Sequence, residues 1–223
     1  MTTVLACCVM AGAVTGCAGG GTSEPPPAAD QMLDEANATM RGLRSVTIDS
    51  VTRSTTGGDL SSRLTTDLKG TCAFELTSDT GARLDQIRID GTDYVRPNRT
   101  YVEEWSRSVA GTGEQGFWAR TPVSASREGD GLSQCTHPFA SFGKVKKGRP
   151  TEIDGVAAMS LEVTDATSGA YTFYVATEGR PYLLKVVYKD AEMDTTTSFS
   201  AFDEPLDVHP PDQAKVLDLG GTG

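Results

Sequence analysis

Two runs of strict alternation near the carboxyl end constrain the fold of this chain more than any other feature. In residues 170–176 and 182–189 apolar side chains recur at every second position, and residues 178–181 form a turn between the two runs. This pattern predicts an antiparallel hairpin. A third run at residues 195–202 follows a polar turn and extends the hairpin to a three-stranded meander. One face of these strands is mainly apolar and the other is mixed, so we expect the sheet to be covered on one side only.

The same period of two occurs upstream. Residues 45–96 contain at least four further strand patterns, separated by turns rich in glycine and aspartate. One of these turns is Asp90-Gly91, a pair that favours a tight hairpin. Residues 156–164 alternate as well. The sequence therefore predicts an extensive antiparallel sheet.

Other segments depart from alternation. Residues 30–43 adopt the three- and four-residue period of an amphipathic helix. Its apolar stripe consists of Leu33, Ala36, Met40 and Leu43. Residues 97–122 and 132–144 are irregular, and each predicts a short helix. Residues 209–219 predict a last short segment that docks on the fold.

Charge narrows the range of partners. The chain has 223 residues and a formal net charge of −10, with an ordinary share of apolar residues, which indicates one globular domain. Nucleic-acid binding relies on a basic surface, so a nucleic-acid partner is not expected. Small ligands and other proteins remain possible binding partners.

The first residues predict export and anchoring. Residues 4–14 form an apolar run that is too short to span a bilayer as a mature helix and is typical of a signal peptide, although no Lys or Arg precedes it. Residues 14–17, Val-Thr-Gly-Cys, resemble a bacterial lipobox, in which the cysteine receives fatty acyl chains and becomes the mature amino terminus. Cys17 is therefore the predicted lipid anchor on the extracytoplasmic face of the cell membrane. The alternative is a buried amino-terminal helix with an incidental cysteine.

These features predict four regions. Residues 1–16 are the predicted lipoprotein signal peptide. Residues 17–29 comprise the lipidated cysteine and a flexible linker rich in glycine and proline. Residues 30–219 form the predicted folded domain, and residues 220–223 a disordered tail.

A series of motifs follows the predicted elements in order. After the lipobox and the helix at residues 30–43 come Gly-Thr-Asp-Tyr-Val-Arg at 91–96, an aromatic segment at 101–105, Phe-Trp at 117–118, the hairpin at 173–182 and Pro-Pro-Asp at 210–212. This order resembles the LolA-like lipoproteins, specifically their LppX/LprAFG-like branch in actinobacteria. The resemblance extends over nearly the whole mature chain.

The resemblance implies an α+β fold. It consists of a strongly curved antiparallel sheet, shaped like a half-barrel, with helices covering its concave face. In better known members the space between sheet and helices holds lipid or acylated glycolipid. The resemblance therefore implies a lipoprotein that binds, and carries, a lipid or other apolar ligand. The alternative is a cell-surface protein-interaction module with a filled core and no small ligand.

The apolar positions of the strands and the helix are candidates for the lining of such a cavity. They are Leu33, Met40, Phe74, Leu76, Ile87, Ile89, Leu161, Phe173, Leu184 and Val186. Any packed domain needs residues of this kind, so a dry core is the alternative.

Two cysteines in the body of the chain predict a disulfide. Cys72 and Cys135 are the only cysteines after Cys17, and an exported chain meets an oxidising environment. Their bond would fasten the irregular segment at 132–142 to the strand at 71–76. The alternative is a pair of free buried thiols.

Catalytic motifs are absent from the sequence. His137 and His209 are each followed by proline, and no known nucleophile, metal or phosphate motif is present. Carboxylates such as Asp85, Asp90 and Asp93 are expected to be solvated. We therefore expect no enzyme activity, no cofactor and no metal.

One basic cluster stands out in this acidic chain. It comprises Lys144, Lys146, Lys147 and Arg149. It is either a solvated loop or a surface that touches anionic lipid headgroups near the anchor.

Overall fold

The structure is a computed structural model, and it describes residues 27–105, 116–123, 131–140, 143–164 and 169–218. In these described residues twelve strands form one open sheet. The predicted signal peptide, Cys17, the residues of the linker before Pro27, and the tail lie outside the described residues.

The helices and strands have the following bounds. The helices are α1 (Ala29–Arg41), α2 (Arg99–Trp105) and two 3₁₀ helices at Gly131–Thr136 and Gln213–Lys215. The strands are β1 (Val46–Ser54), β2 (Leu60–Thr66), β3 (Cys72–Ser78), β4 (Arg83–Ile89), β5 (Thr92–Pro97), β6 (Trp118–Pro122), β7 (Lys144–Ile153), β8 (Val156–Thr164), β9 (Ala170–Ala176), β10 (Leu183–Lys189), β11 (Met193–Ser200) and β12 (Val216–Asp218).

Consecutive strands pair as neighbours almost throughout. The order across the sheet is β12-β6-β5-β4-β3-β2-β1-β11-β10-β9-β8-β7, so β12 and β7 are its two edges. Every pair is antiparallel except β12 with β6. Two hairpins turn on Asp-Gly pairs with positive φ, at Asp90-Gly91 (51° and 71°) and Asp154-Gly155 (50° and 82°). These backbone angles suit the twist of the flanking strands, which is why the Asp-Gly signature fixes the register there.

The core lies on the concave face of the sheet. The apolar stripe of α1 packs over β7, β9 and β10, and Leu33, Ala36 and Met40 are fully buried there. The 3₁₀ helix Gly131–Thr136 covers β2, β3 and β4 on the same face. The predicted α+β fold, a curved antiparallel sheet with helices over its concave face, is confirmed. No described helix is long and apolar enough to cross a membrane.

One predicted segment is confirmed only in part. A helix was expected within residues 132–144, but the 3₁₀ helix ends at Thr136, and Lys144 begins the long strand β7. The basic cluster therefore lies on an edge strand and not on a loop. On the concave face of this edge strand Val145 packs against the core, but Lys147 is exposed, so the sequence carried no apolar alternation there.

Candidate functional site

A cavity of about 260 Å³ lies between α1 and the concave face of the sheet. Its walls are mainly apolar and aromatic, and they come from α1, the segment after the 3₁₀ helix, and strands β9, β10 and β11. The lining residues are Asn37, His137, Pro138, Phe139, Ala140, Tyr171, Phe173, Leu183, Val186, Thr197 and Phe199.

Strand register brings the sheet side of this lining together. Phe173 on β9 lies opposite Val186 on β10, which lies opposite Thr197 on β11. Phe199 lies one inward position further along β11, opposite Ile48. Because side chains alternate across a strand, a single face of three neighbouring strands supplies these residues.

An aromatic cluster closes the other side. The ring of Phe139 lies 5.8 Å from that of Phe199, and the ring of His137 lies 4.9 Å from that of Phe139. Arg41, at the end of α1, donates a hydrogen bond from Nη1 to the carbonyl oxygen of Phe139 at 2.7 Å. The helix and the segment at 137–140 are thereby fastened to each other across the cavity.

His137 is the histidine of the cavity lining. Burial lowers its pKa from the usual 6.5, so the imidazole is neutral at neutral pH. Its Nδ1 lies 3.4 Å from Oε1 of Gln134. A neutral ring among phenylalanines keeps the lining compatible with an apolar group.

The concave face becomes polar beyond the cavity. After Ile48, the inward positions of β1 are Ser50 and Thr52, and their hydroxyls meet those of Thr197 and Thr195 on β11 at 2.6 and 3.0 Å. All four residues are half-buried. This hydroxyl row, defined by Ser50, Thr52, Thr195 and Thr197, continues directly from the apolar lining, since Thr197 belongs to both. The face can therefore contact an apolar chain at one end and a polar group at the other.

The predicted disulfide between Cys72 and Cys135 is confirmed. It joins β3 to the 3₁₀ helix across 63 residues of sequence, with Cα atoms 5.6 Å apart, and both cysteines are fully buried. Thr66 donates a hydrogen bond from Oγ1 to the carbonyl oxygen of Cys135 at 2.5 Å. The disulfide holds in place the segment that leads into the cavity wall.

A buried ion pair supports the same segment. Nε and Nη2 of Arg88 contact the two carboxylate oxygens of Asp93 at 2.7 and 2.8 Å. Nη1 of Arg88 donates to the carbonyl oxygen of Leu132 at 3.1 Å. Asp93 and Asp85 were expected to be solvated, but both carboxylates are buried and paired with arginines, Asp93 with Arg88 and Asp85 with Arg83 and Arg96.

The predicted lining residues fall into three groups. Phe173 and Val186 line the cavity. Leu33, Met40, Phe74 and Leu161 are buried in the core beside it, and Leu76 is half-buried against that core. Ile87, Ile89 and Leu184 lie on the opposite face of the sheet and are corrected accordingly.

The outward orientation of these three residues has two physical causes. On β4, the pairing of Cys72 with Arg88 and of Phe74 with Gln86 turns the even-numbered residues inward and Ile87 and Ile89 outward. On β10, an irregularity between Leu183 and Lys185 shifts the register. Leu183 therefore lines the cavity, and Leu184 packs with Ala158 and Ala176 on the other face.

Sequence reasoning missed several lining residues. His137 and Phe139 follow Cys135 closely, so the predicted disulfide could have directed attention to them. Tyr171 shares the alternation of Phe173 on the same strand, β9, and could have been predicted with it, whereas Phe199 is on β11, where no lining residue was predicted. Leu183 had no such signal, because the bulge is not visible in the sequence.

A second and larger groove of about 370 Å³ lies on the opposite face. It is lined by polar and charged side chains of β1 to β3, among them Thr47, Arg63 and Glu75, and by part of residues 201–207. Arg63 is paired with Asp49 at 3.1 Å. Such a mixed and exposed surface is unsuited to an apolar ligand.

Metal-binding clusters are not found in the part of the chain that the structure describes. No three His, Cys, Asp or Glu side chains there converge on a metal position. His209 contacts Asp207 at 2.9 Å, but both side chains are almost fully exposed.

The fold matches two solved structures of mycobacterial proteins. LprF from Mycobacterium bovis superposes with a TM-score of 0.56 at 14% identity, over 82% of this chain and 96% of LprF. The lipoprotein LppX from Mycobacterium tuberculosis superposes with a TM-score of 0.52 at 13% identity, over 80% of this chain and 96% of LppX. No protein-family model and no curated protein sequence matches the chain. The predicted LppX/LprAFG-like fold is therefore confirmed by structure, and identities this low show the fold alone.

Proposed function

We propose that this protein is a membrane-anchored extracytoplasmic lipoprotein that binds, and carries, a lipid through one apolar chain. The observation that supports the proposal best is the apolar and aromatic cavity beneath α1, which continues into the hydroxyl row. An amphipathic molecule matches both parts, with its chain in the cavity and its polar group against Ser50, Thr52 and Thr195.

The volume of the cavity limits the size of the group that can bind in it. Its 260 Å³ is just below the roughly 300–1,000 Å³ of sites for drug-sized molecules. A slender group, such as part of a single acyl chain, suits a cavity of this volume better than a bulky molecule does. Anchoring at Cys17 is part of the proposal, and it rests on the lipobox-like residues 14–17 together with the fold shared with the lipoprotein LppX.

Adjacent residues on β10 provide a sharp test of the cavity. Val186 faces the cavity, whereas Val187 faces the other side of the sheet. We expect the wild-type protein to bind a fluorescent polyene fatty acid, Val186→Trp to bind it at least about ten-fold more weakly because the indole occupies the cavity, and Val187→Trp to bind it normally. The measurement is fluorescence titration, with circular dichroism to confirm that both variants are folded.

Two outcomes would count against the proposal. Equal affinities of the two variants would mean that the probe binds elsewhere. No binding by the wild type would favour a surface module with a filled core, for which the complete burial of Leu33, Met40 and Leu161 is the supporting observation.

Anchoring has its own test. We expect Cys17→Ala to move the protein from the membrane fraction to the soluble fraction, or to block its processing, because the acylated residue is lost. Cys8→Ala removes another cysteine from the same region and is the matched control, which should fractionate like the wild type. Membrane retention and processing of Cys17→Ala at wild-type levels would refute the anchor. The measurement is fractionation of cell membranes followed by immunoblotting.

A further inference from the structure

The edge strand β7 carries the densest positive charge in this acidic protein. Lys144, Lys146, Lys147 and Arg149 are all exposed and lie within six consecutive residues, a span of about 17 Å along a strand. No described carboxylate lies within 4.0 Å of any of the four charged groups. Glu162 on β8 is opposite Lys146 in register but forms no ion pair with it.

The cations surround the free edge and do not point into the cavity. Lys147 lies opposite Leu161 and shares the concave face, whereas Lys144 and Lys146 lie on the other face. Long basic side chains on both faces of an edge strand can bend toward a surface that lies against that edge. This arrangement suits a broad anionic surface better than a small ligand.

The chain enters the fold beside this strand. Nζ of Lys147 donates a hydrogen bond to the carbonyl oxygen of Pro27 at 3.5 Å. Pro27 follows Cys17 by ten residues, and ten residues of fully extended chain span at most about 35 Å. A lipid attached at Cys17 would therefore keep β7 close to the membrane surface.

Pairing with a strand of another protein is the competing use of an exposed edge. Here the register shifts between Lys147 and Pro150, and proline has no N–H group to donate to a ladder. Lysines and a proline on an edge are features that oppose strand addition. The edge is thus blocked for a β-strand partner and open to a charged surface.

We propose that β7 docks on the anionic headgroups of the membrane through Lys144, Lys146, Lys147 and Arg149. This inference rests on the proposed function for the anchor at Cys17 and adds an orientation to it. Tyr171 on β9 lines the cavity two strands from β7, a distance of about 10 Å. Docking through β7 would hold the cavity near headgroup level, where a lipid enters or leaves the bilayer.

Vesicle binding tests the docking without lipidation or a cavity ligand. The full chain carrying Cys17→Ser is mixed with vesicles of phosphatidylcholine, or of phosphatidylcholine with about one-third phosphatidylglycerol, and sedimented. Any contribution of the apolar residues 4–14 is common to both vesicle types. We expect tighter binding to the anionic vesicles, which weakens as salt is added because exposed charges are screened.

Two variants with the same loss of charge locate the effect. The first replaces Lys144, Lys146, Lys147 and Arg149 with Gln, and the second replaces Arg53, Lys69, Arg99 and Lys215, exposed cations elsewhere in the fold, with Gln. At about five-fold per cation, the β7 variant should lose at least about 100-fold of its preference for anionic vesicles at low salt. The control variant should keep most of that preference.

Three results would overturn the proposal. Equal binding of the unmodified chain to both vesicle types would show that headgroup charge has no role. Equal losses in the two variants would show a general charge effect. Association of the β7 variant into oligomers, with vesicle binding unchanged, would show that the cations serve only to prevent strand pairing. None of these results depends on whether the fatty acid probe binds. The proposal of membrane docking and the proposal of ligand binding can therefore be refuted independently.

Discussion

The protonation of His137 affects the stability of the cavity wall. Its ring packs against Phe139 and lies 6.4 Å from the ring of Phe199, and burial lowers its pKa. The folded protein therefore binds this proton less readily than the unfolded chain does. The contribution of the neutral ring to stability is present above the usual pKa of 6.5 and is lost as the pH falls toward the lower folded-state pKa.

A pH series tests this coupling. We expect the free energy of unfolding of the wild type to fall between about pH 7 and pH 5, and to fall less in His137→Gln, because glutamine does not take up a proton. The measurement is urea unfolding at each pH. The variant His209→Gln removes an exposed imidazole and is the control. Identical slopes for wild type and His137→Gln would contradict a half-buried ring that stays neutral in the folded protein.

At the scale of elements, the 3₁₀ helix Gly131–Thr136 depends on its links to the sheet. It is only six residues long, and it leads into the cavity wall. The disulfide to β3, the hydrogen bond from Thr66 and the contact of Arg88 with Leu132 hold it in place. A helix this short would not form on its own, so these links determine its position.

Removing the disulfide should therefore destabilise the protein. Closing a loop of 63 residues contributes about 4 kcal/mol in the chain-entropy description, and measured losses are typically about 2–4 kcal/mol. We expect the double variant Cys72→Ala/Cys135→Ala to lose stability in this range in urea unfolding. The wild type in reductant should approach the same value. An unchanged unfolding midpoint in both would mean that the bond does not constrain the chain.

The elements show what the sequence could and could not predict. The meander at residues 170–202 and the helix α1 follow from periodicity and have nearly the expected bounds. The sequence does not predict which set of alternating residues on each strand faces the core. Each strand shows only its own alternation, and the pairing with neighbouring strands decides which set points inward. Ile87 and Ile89 were assigned to the wrong face for this reason, and Leu184 because of a bulge. Strand β7 was missed because Val145 packs against the core on its inward face but Lys147 is exposed there, which removes the apolar pattern.

At the scale of the whole molecule, an open curved sheet separates three surfaces. The concave face holds the cavity and the hydroxyl row, the opposite face holds a polar groove, and the β7 edge carries the basic cluster. In the proposed arrangement, the anchor and β7 face the membrane and the cavity lies just beside it. A lipid would then move between bilayer and protein over a short distance.

The central claim is that the cavity beneath α1 holds lipid. Its most direct test is mass spectrometry of organic extracts from protein purified out of its own membrane, comparing the wild type with Val186→Trp and Val187→Trp. The account predicts lipid bound to the wild type and to Val187→Trp, with at most about one-tenth as much on Val186→Trp. Extracts of the wild type with no lipid above the blank, or equal amounts from all three proteins, would contradict it.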